Sequence, residues 1–350
     1  MSQPTLSSSP YVHNNQNVRK LMLQVQIAAF PALLMHIYLF GFGIVVQWLL
    51  AVATLLVVEY TMLKLRGRPV LPFITDMSAL ITITGLVFCI PPGAPWWVIV
   101  SGSTFALIFG KHLYGGLGYN PFNPAMLGYA FLLISFPVQM TQWIVPSEVA
   151  GYYMGFMDAV QLVFTGQIPG ISMDAITGAT PLNELRVGLS QGVTVAETLN
   201  PQLIADNKIS HFLFGLSSWE WVNIAFLLGG LWMLYSRTIR WQFPVGFLGS
   251  LALMGFLFHT IDPNIYPPVD FVLFSGGTML AAFFIITDPV TASTTPKGRF
   301  IYACGIGVLV YVIRSWGAFP DGIAFAIILM NIAVPLIDQY TQPRVFGHKR

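Results

Sequence analysis

Long apolar runs separated by short polar connections make up most of this chain. About 20 apolar residues cross roughly 30 Å of hydrocarbon as a helix, so the pattern predicts membrane-spanning helices. Continuous apolarity without strict alternation favours helices over a β-barrel. About ten such runs are present, at Leu21–Phe40, Ile44–Leu63, Met77–Ile90, Trp96–Gly110, Ala125–Met140, Glu220–Tyr235, Phe243–Phe258, Phe271–Thr287, Phe300–Ile313 and Gly322–Ile337.

These runs predict an all-α polytopic membrane protein with a long polar loop between the fifth and sixth spans. We assign an N-terminal tail to 1–20, a first membrane half to 21–140, the loop to 141–218, a second membrane half to 219–338 and a C-terminal tail to 339–350. Five spans on each side of the loop place the halves in opposite orientations, as in an inverted five-plus-five repeat. The halves show no convincing sequence match, and several runs are short. A repeat, unrelated halves, nine spans and a broken helix therefore all stay open.

Composition excludes a soluble domain and several classes of site. Hydrophobic residues make up 55% of the chain and charged residues 9%, whereas globular chains carry roughly 25% charged residues. The net charge is +2 and no long basic run is present, which argues against nucleic-acid binding. Cys89 and Cys304 both lie in apolar runs and are too few to hold an iron–sulfur cluster or structural zinc. We predict no metal ligand and no catalytic side chain.

The distribution of basic residues predicts the orientation in the membrane. Placing both termini in the cytoplasm leaves only Arg186, Lys208 and Arg314 of the 16 Lys and Arg residues on the outer side. Short cytoplasmic connections carry an excess of Lys and Arg in membrane proteins. Loop 141–218 is therefore predicted to lie on the non-cytoplasmic side.

One polar stretch, 174–182, stands out in that loop. Thr180 precedes Pro181, which is the arrangement of a helix N-cap followed by proline at the first helical position. Free backbone N–H groups and the positive end of the helix dipole favour a phosphate at such a site. The plainer alternative is that Thr180 only caps a helix of the loop.

The string Asp-x-x-Thr-Gly-Ala-Thr at 174–180 resembles a flavinylation signal. It is similar to that of the D subunits of Rnf electron-transport complexes and of the B subunits of Na⁺-translocating NADH:quinone reductases. The resemblance implies that a flavin transferase joins FMN to Thr180 through a phosphoester. The surrounding signal is then formed by Asp174, Thr177, Gly178 and Ala179.

Two further segments resemble the same families. Gly115–Ala125 is rich in Gly and Pro and carries Asn120 and Asn123, so it cannot be helical throughout and must line a cavity or be buried. Asp288 lies at the end of the eighth run, beside Pro289. These three polar residues are candidates for an ion path or a second, non-covalent flavin site. The alternatives are a tight turn for the asparagines and a helix cap for Asp288.

We interpret the isolated polar residues within the apolar runs as structural rather than functional. Glu59 and Asp76 lie near predicted inner ends, where we expect both to reach cytoplasmic water beside Lys64 or Arg68. His36 in the first run is predicted to make an interhelical hydrogen bond.

The resemblance implies a membrane flavoprotein that belongs to an ion-translocating electron-transport complex in the bacterial inner membrane. By resemblance, its partners are other flavin- and iron–sulfur-carrying subunits, the flavin transferase and membrane lipid. Such a protein passes electrons through FMN while the complex moves Na⁺ or H⁺, and it is not catalytically complete alone. The competing prediction is a secondary transporter or channel without a redox cofactor. A scaffold is a third hypothesis, and it leaves 174–182 unexplained.

Overall fold

The computed structural model describes residues 17–116, 118–199, 211–212, 216–319 and 321–343. Most of the N-terminal tail assigned to 1–20 and most of the C-terminal tail assigned to 339–350 lie outside the described residues. The rest of both membrane halves, and of the loop up to residue 199, is described apart from Leu117 and Pro320.

The first half begins with two long antiparallel helices. Asn17 caps the first of them by accepting a hydrogen bond from the Lys20 N–H at 2.8 Å. The chain then reverses at Gly41, whose φ of 81° suits glycine. The helices of this half are α1 (Val18–Phe40), α2 (Gly43–Leu65), α3 (Val70–Ile74), α4 (Ser78–Val87), α5 (Trp96–Leu107) with a π-helical turn at Ile108–His112, α6 (Pro124–Ser135) and α7 (Pro137–Thr141).

The loop folds onto one end of the bundle as short helices and two-residue strands. Strand β1 (Trp143–Ile144) pairs antiparallel with β2 (Thr177–Gly178), and β3 (His211–Phe212) pairs antiparallel with β4 (Leu216–Ser217). The described helices here are α8 (Ser147–Ala150), α9 (Phe156–Thr165), α10 (Met173–Ile176), α11 (Pro181–Ser190) and α12 (Val195–Thr198).

The second half also begins with two long helices and then a broken one. The break lies at Gly276, which has a φ of 60°. The helices of this half are α13 (Ser218–Tyr235), α14 (Gln242–Ile261), α15 (Val269–Phe274), α16 (Thr278–Leu280) with a π-helical turn at Ala281–Ile285, α17 (Pro296–Trp316) and α18 (Ile323–Thr341).

Within the described chain, five helices have the length and apolarity to cross a membrane, namely α1, α2, α14, α17 and α18. Shorter apolar helices include α4 and α6. The protein is thus a mainly helical, multi-pass membrane protein, as the hydrophobic pattern predicts. Every predicted run contains a helix, but the helices of the fifth and eighth runs are interrupted, so the count of ten spans remains a prediction.

One hydrophobic core joins the two membrane halves. Its buried members come from α1, α2 and α6 as well as from α13, α14 and α17. Close approach of α1 and α13 depends on Gly229, because an added Cβ would overlap the carbonyl oxygen of Ala28. The halves therefore pack as one body.

A second, smaller core fixes the loop to the bundle. Ile144, Leu162 and Ile176 are buried together with Val46 of α2. The Phe42 N–H also donates to the Met154 carbonyl oxygen at 3.1 Å. These contacts hold the 174–182 stretch against the end of the bundle where α1 ends and α2 begins.

Candidate functional site

Thr180 is the N-cap of α11. Its backbone is extended (φ −74°, ψ 156°), and its hydroxyl accepts a hydrogen bond from the Asn183 N–H at 3.3 Å. Pro181 occupies the first helical position, and the Glu184 N–H donates to the Thr180 carbonyl at 2.9 Å. This confirms the helix start predicted from the sequence. The Thr180 side chain is partly exposed, and the hydrogen bond to its hydroxyl is long.

The residues before Thr180 form a short strand with its own restraints. Thr177 and Gly178 pair with Ile144 and Trp143 respectively. The Thr177 hydroxyl donates to the Met173 carbonyl at 2.8 Å. A Cβ on Gly178 would lie 2.8 Å from Val145 Cγ2, so a larger residue would push the strands apart.

The structure therefore brings four of the five predicted signal residues into one extended stretch. Ala179 and Thr180 follow β2 directly, and both are partly buried. Asp174 lies on α10, one helical turn before β2, with an exposed position. The stretch before α11 is thus an extended strand at the surface of the loop, preceded by an exposed Asp174.

A cavity of about 110 Å³, here called the Thr180 cavity, extends from this stretch toward the membrane core. Its walls include Thr180, Asn183, His36 and Trp219. His36 is 4% exposed, and its Nδ1 has no hydrogen-bond partner among the described residues. The predicted interhelical hydrogen bond of His36 is therefore wrong for that nitrogen, since the ring packs beside Phe40 instead.

The broken helix between α15 and α16 forms another wall of the Thr180 cavity. Asn223 Nδ2 donates to the carbonyls of Phe274 and Gly276 at 2.8 and 3.0 Å, and Asn223 Oδ1 accepts from the Met279 N–H at 3.2 Å. Asp321 Oδ2 accepts from the Gly277 N–H at 3.1 Å. Irregular backbone at membrane depth needs such partners. Sequence reasoning missed Asn223 and Asp321 because each is far along the chain from the groups it satisfies.

A second cavity, the Asn123 cavity, has a volume of about 200 Å³. Asn120, Asn123 and Asp288 all line it, so the structure unites the three residues predicted for an ion path or second flavin. Asn123 Oδ1 caps α6 by accepting from the Met126 N–H at 3.2 Å, and its Nδ2 lies 3.5 Å from Asp288 Oδ2. Asn120 Nδ2 donates to the Phe122 carbonyl at 3.0 Å.

Asp288 does not cap the following helix, which corrects the alternative of a helix cap. Its carboxylate accepts from the Val290 N–H at 3.1 Å and from the Thr291 hydroxyl at 2.8 Å. Thr295 caps α17 instead, through the Gly298 N–H at 3.0 Å. The Asp288 carboxylate thus accepts hydrogen bonds from its own turn, at the wall of the Asn123 cavity.

Glu59 is fully buried, so the prediction that it reaches cytoplasmic water is wrong. The Lys111 ammonium lies 2.7 Å from Glu59 Oε1 and 3.3 Å from the Ser78 hydroxyl, and His112 Nε2 lies 3.2 Å from Glu59 Oε1. The π-helical turn Ile108–His112 lies inside the bundle, and its Lys111 and His112 side chains are buried against Glu59 of α2. Asp76 stays near the surface and accepts from the Ser78 N–H at 2.7 Å.

The charge near Thr180 depends on Glu184, in the first turn of α11. Partial burial raises the pKa of the Glu184 carboxyl to about 7. Its negative charge is therefore largely absent below neutral pH. A phosphate on Thr180 would meet less repulsion from this carboxyl than from an ordinary glutamate.

The chain is similar to known proteins along nearly its whole length. The family model described as the NQR2, RnfD, RnfE family matches residues 5–347. Proteins named as the D subunits of ion-translocating oxidoreductase complexes are similar over 99% of both chains. The one from Aeromonas hydrophila is 48% identical, and those from Escherichia fergusonii and Aliivibrio salmonicida are each 47% identical. A match along nearly the whole length places the chain in the NQR2, RnfD and RnfE family.

Proposed function

We propose that this chain is the membrane flavoprotein of an ion-translocating oxidoreductase complex and carries FMN esterified to Thr180. The names of its relatives support the complex. The observation that carries the flavin assignment is the position of the Thr180 hydroxyl. Thr180 is a partly exposed residue at a helix start, and it lines the Thr180 cavity.

The residues around Thr180 fit a phosphoester. The first turn of α11 offers backbone N–H groups and a positive dipole end to a phosphate. Gly178 and the β1–β2 pairing fix the direction of the stretch, and the Thr180 cavity offers aromatic and amide groups beside it. Bound FMN supplies one- and two-electron chemistry, while the protein sets its position and surroundings.

The rest of the assignment follows from membership of such a complex. The partners are flavin- and iron–sulfur-carrying subunits, with a flavin transferase acting during maturation. Electron transfer is coupled to Na⁺ or H⁺ movement across a bacterial inner membrane. Both termini face the cytoplasm and the Thr180 loop faces the periplasm, as the basic residues indicate.

The Asn123 cavity is the proposed place for a second, non-covalent flavin or for part of the ion path. It combines apolar walls with a few polar groups, which is the usual lining of a small-molecule site. Asn120, Asn123, Asp288 and Lys111 are among those groups. A second flavin here would lie toward the membrane end opposite Thr180.

An inverted repeat, which we propose here, would be compatible with both this function and its competitor. Each half has two long helices, a broken third element and two further helices, and α2 packs on α5 as α14 packs on α17. Transporters use the same plan, with broken helices near the membrane centre. A secondary transporter or channel without a redox cofactor therefore remains the second candidate.

The test is substitution of the Thr180 hydroxyl without loss of the helix cap. Asparagine is a good N-cap but has no hydroxyl to esterify, so Thr180→Asn should fold and lose the covalent flavin completely. Thr194→Asn is the matched control, because Thr194 caps α12 in the same loop. In-gel flavin fluorescence and the intact mass of the chain, made in cells with the flavin transferase, give the readout.

The outcomes separate the candidates. A fluorescent, FMN-heavier band in wild type and Thr194→Asn, lost in Thr180→Asn, supports the flavoprotein. An unmodified wild-type chain favours the transporter. Flavin released on denaturing Thr180→Asn protein, and reduced in amount when Asn123→Leu is added, supports the second site.

A further inference from the structure

A third cavity, here called the Arg186 cavity, lies under α11. Its volume is about 420 Å³. One face of α11 forms a wall through Leu185, Arg186 and Leu189. The opposite walls come from the 265–267 connection, α15 and the end of α17, including Arg314 and Trp316. No part of the proposed redox chemistry uses this cavity.

Two arginines in the walls of the Arg186 cavity each have a hydrogen-bond donor without an acceptor among the described residues. Arg186 Nη2 donates to the Gly317 carbonyl at 2.7 Å, while its Nη1 is buried and has no partner among the described residues. Arg314 donates to the Val272 carbonyl at 3.2 Å and to the Thr278 hydroxyl at 3.1 Å, while its Nε is equally buried and without a described partner. Buried N–H groups without acceptors are uncommon in folded proteins.

The charges of the two arginines are only half compensated. Asp321 Oδ1 lies 3.2 Å from Arg314 Nη2, and the Arg314 side chain is 7% exposed. Arg186 has a carbonyl partner and makes no ion pair among the described residues. One net positive charge therefore remains, which matches a ligand with a single negative charge. Guanidinium groups pair well with phosphate oxygens.

The position of the cavity indicates an amphiphilic ligand. Its rim lies where α14 and α17 end, with Trp316 54% exposed and Ile265 50% exposed. Phe258, Tyr266 and Trp316 contact one another there, with ring centroids 5.1 to 6.1 Å apart. Tyr and Trp concentrate at the depth of lipid headgroups. A phospholipid phosphate lies at that depth.

We propose that the Arg186 cavity binds a phosphate group, supplied by the headgroup of an anionic phospholipid. Arg186 and Arg314 bind the phosphate, and Tyr266 and Trp316 contact the glycerol region. The lipid then ties α11, which carries Thr180 at its start, to the end of α17. The inference goes beyond the proposed redox function and does not depend on the flavin.

The test compares lipid compositions with the full-length chain in nanodiscs. Wild-type protein in phosphatidylcholine with phosphatidylglycerol should unfold about 2–4 °C higher than in phosphatidylcholine alone, because a ligand bound only by the folded state stabilises it. Arg186→Gln should lose this difference, and Arg186→Lys should keep part of it. Arg240→Gln, which removes an exposed charge at the other end of the bundle, should keep all of it.

A second readout measures the lipid itself. Mass spectrometry of washed protein should find phosphatidylglycerol retained by wild type and lost about tenfold more easily by Arg186→Gln. If inorganic phosphate raises the unfolding temperature in phosphatidylcholine discs as much as phosphatidylglycerol does, the cavity is a phosphate site whose occupant is a soluble phosphate and not a lipid. Equal responses of Arg186→Gln and wild type, or equal losses in Arg186→Gln and Arg240→Gln, overturn the proposal. Persistence of the lipid response in Thr180→Asn separates it from the flavin assignment.

Discussion

Around Thr180, two glutamates of the same loop have opposite electrostatic behaviour. Glu184 follows the N-cap of α11 and is partly buried, which raises its pKa to about 7. Glu197 follows the N-cap of α12, where hydrogen bonds from the backbone and hydroxyl of Thr194 lower its pKa. Both lie in a first helical turn, so the position in the helix does not set the direction of the pKa shift. Burial raises the pKa of Glu184, whereas the capping hydrogen bonds lower the pKa of Glu197.

The raised pKa of Glu184 predicts a pH dependence of stability. The carboxyl ionises more readily in the unfolded chain, at its ordinary value of 4.5, than in the folded chain, at about 7. The destabilising effect of the ionised Glu184 carboxylate is therefore absent below pH 4.5, and the stability of the fold falls as the pH rises through 7. The unfolding temperature of Glu184→Gln should consequently decline less than that of wild type between pH 5 and pH 8. Partial exposure keeps this difference small.

Glu197→Gln is the control with the opposite sign. Its lowered pKa means that Glu197 stabilises the fold above pH 4.5 and loses this effect as the pH falls. The difference in unfolding temperature between wild type and Glu197→Gln should therefore increase with rising pH. A Glu184→Gln profile parallel to that of wild type would contradict the assigned burial effect.

Among the helices, close crossings depend on small residues. Lipid tails are as apolar as the helix surfaces, so the hydrophobic effect does not drive helices together within the membrane. Close van der Waals packing therefore contributes much of the contact energy. Gly229 on α13 lies against the Ala28 backbone of α1, which joins the two membrane halves. Gly249, in the middle of α14, has no atom within 4 Å of an added Cβ.

These two glycines provide a matched pair of substitutions. Gly229→Ala should lower the free energy of unfolding by about 1–3 kcal/mol, because the new methyl group meets backbone that cannot move alone. Gly249→Ala should be neutral or stabilise by up to about 1 kcal/mol, because alanine favours helix. Unfolding titrations in mixed micelles measure both. Equal effects of the two substitutions would show that the α1–α13 crossing is not tight.

Across the whole molecule, α17 separates two ends with different chemistry. Its 21 residues span roughly 30 Å. Trp316 at one end lies beside α11, and Lys297 lies at the other. Most basic residues of the sequence group with Lys297, so the Thr180 end should be the non-cytoplasmic one.

Cysteine labelling tests this orientation. In a chain with Cys89 and Cys304 replaced by alanine, Gln191→Cys should react with a membrane-impermeant maleimide on intact spheroplasts. Lys297→Cys should react only after the membrane is opened. Both positions are exposed in the structure. The reverse labelling pattern would place Thr180 in the cytoplasm and remove the periplasmic assignment.

Local features were predictable because few residues set them. Thr180 followed by Pro181 specifies a helix start through its own hydroxyl and ring. The glycines, prolines and asparagines of 115–125 likewise indicate non-helical backbone. The buried Glu59–Lys111 pair was not predictable, since its members are 52 positions apart and each looks like an ordinary inner-end charge.

The sequence by itself determined the helical membrane class and the Thr180 cap, because apolar length and capping act over a few neighbouring residues. Only the tertiary structure decided which polar side chains share a cavity, that Glu59 is buried with Lys111, and that Arg186 reaches the end of α17. Those outcomes depend on how helices from both halves pack. Packing is a property of the assembled chain, which no single segment encodes.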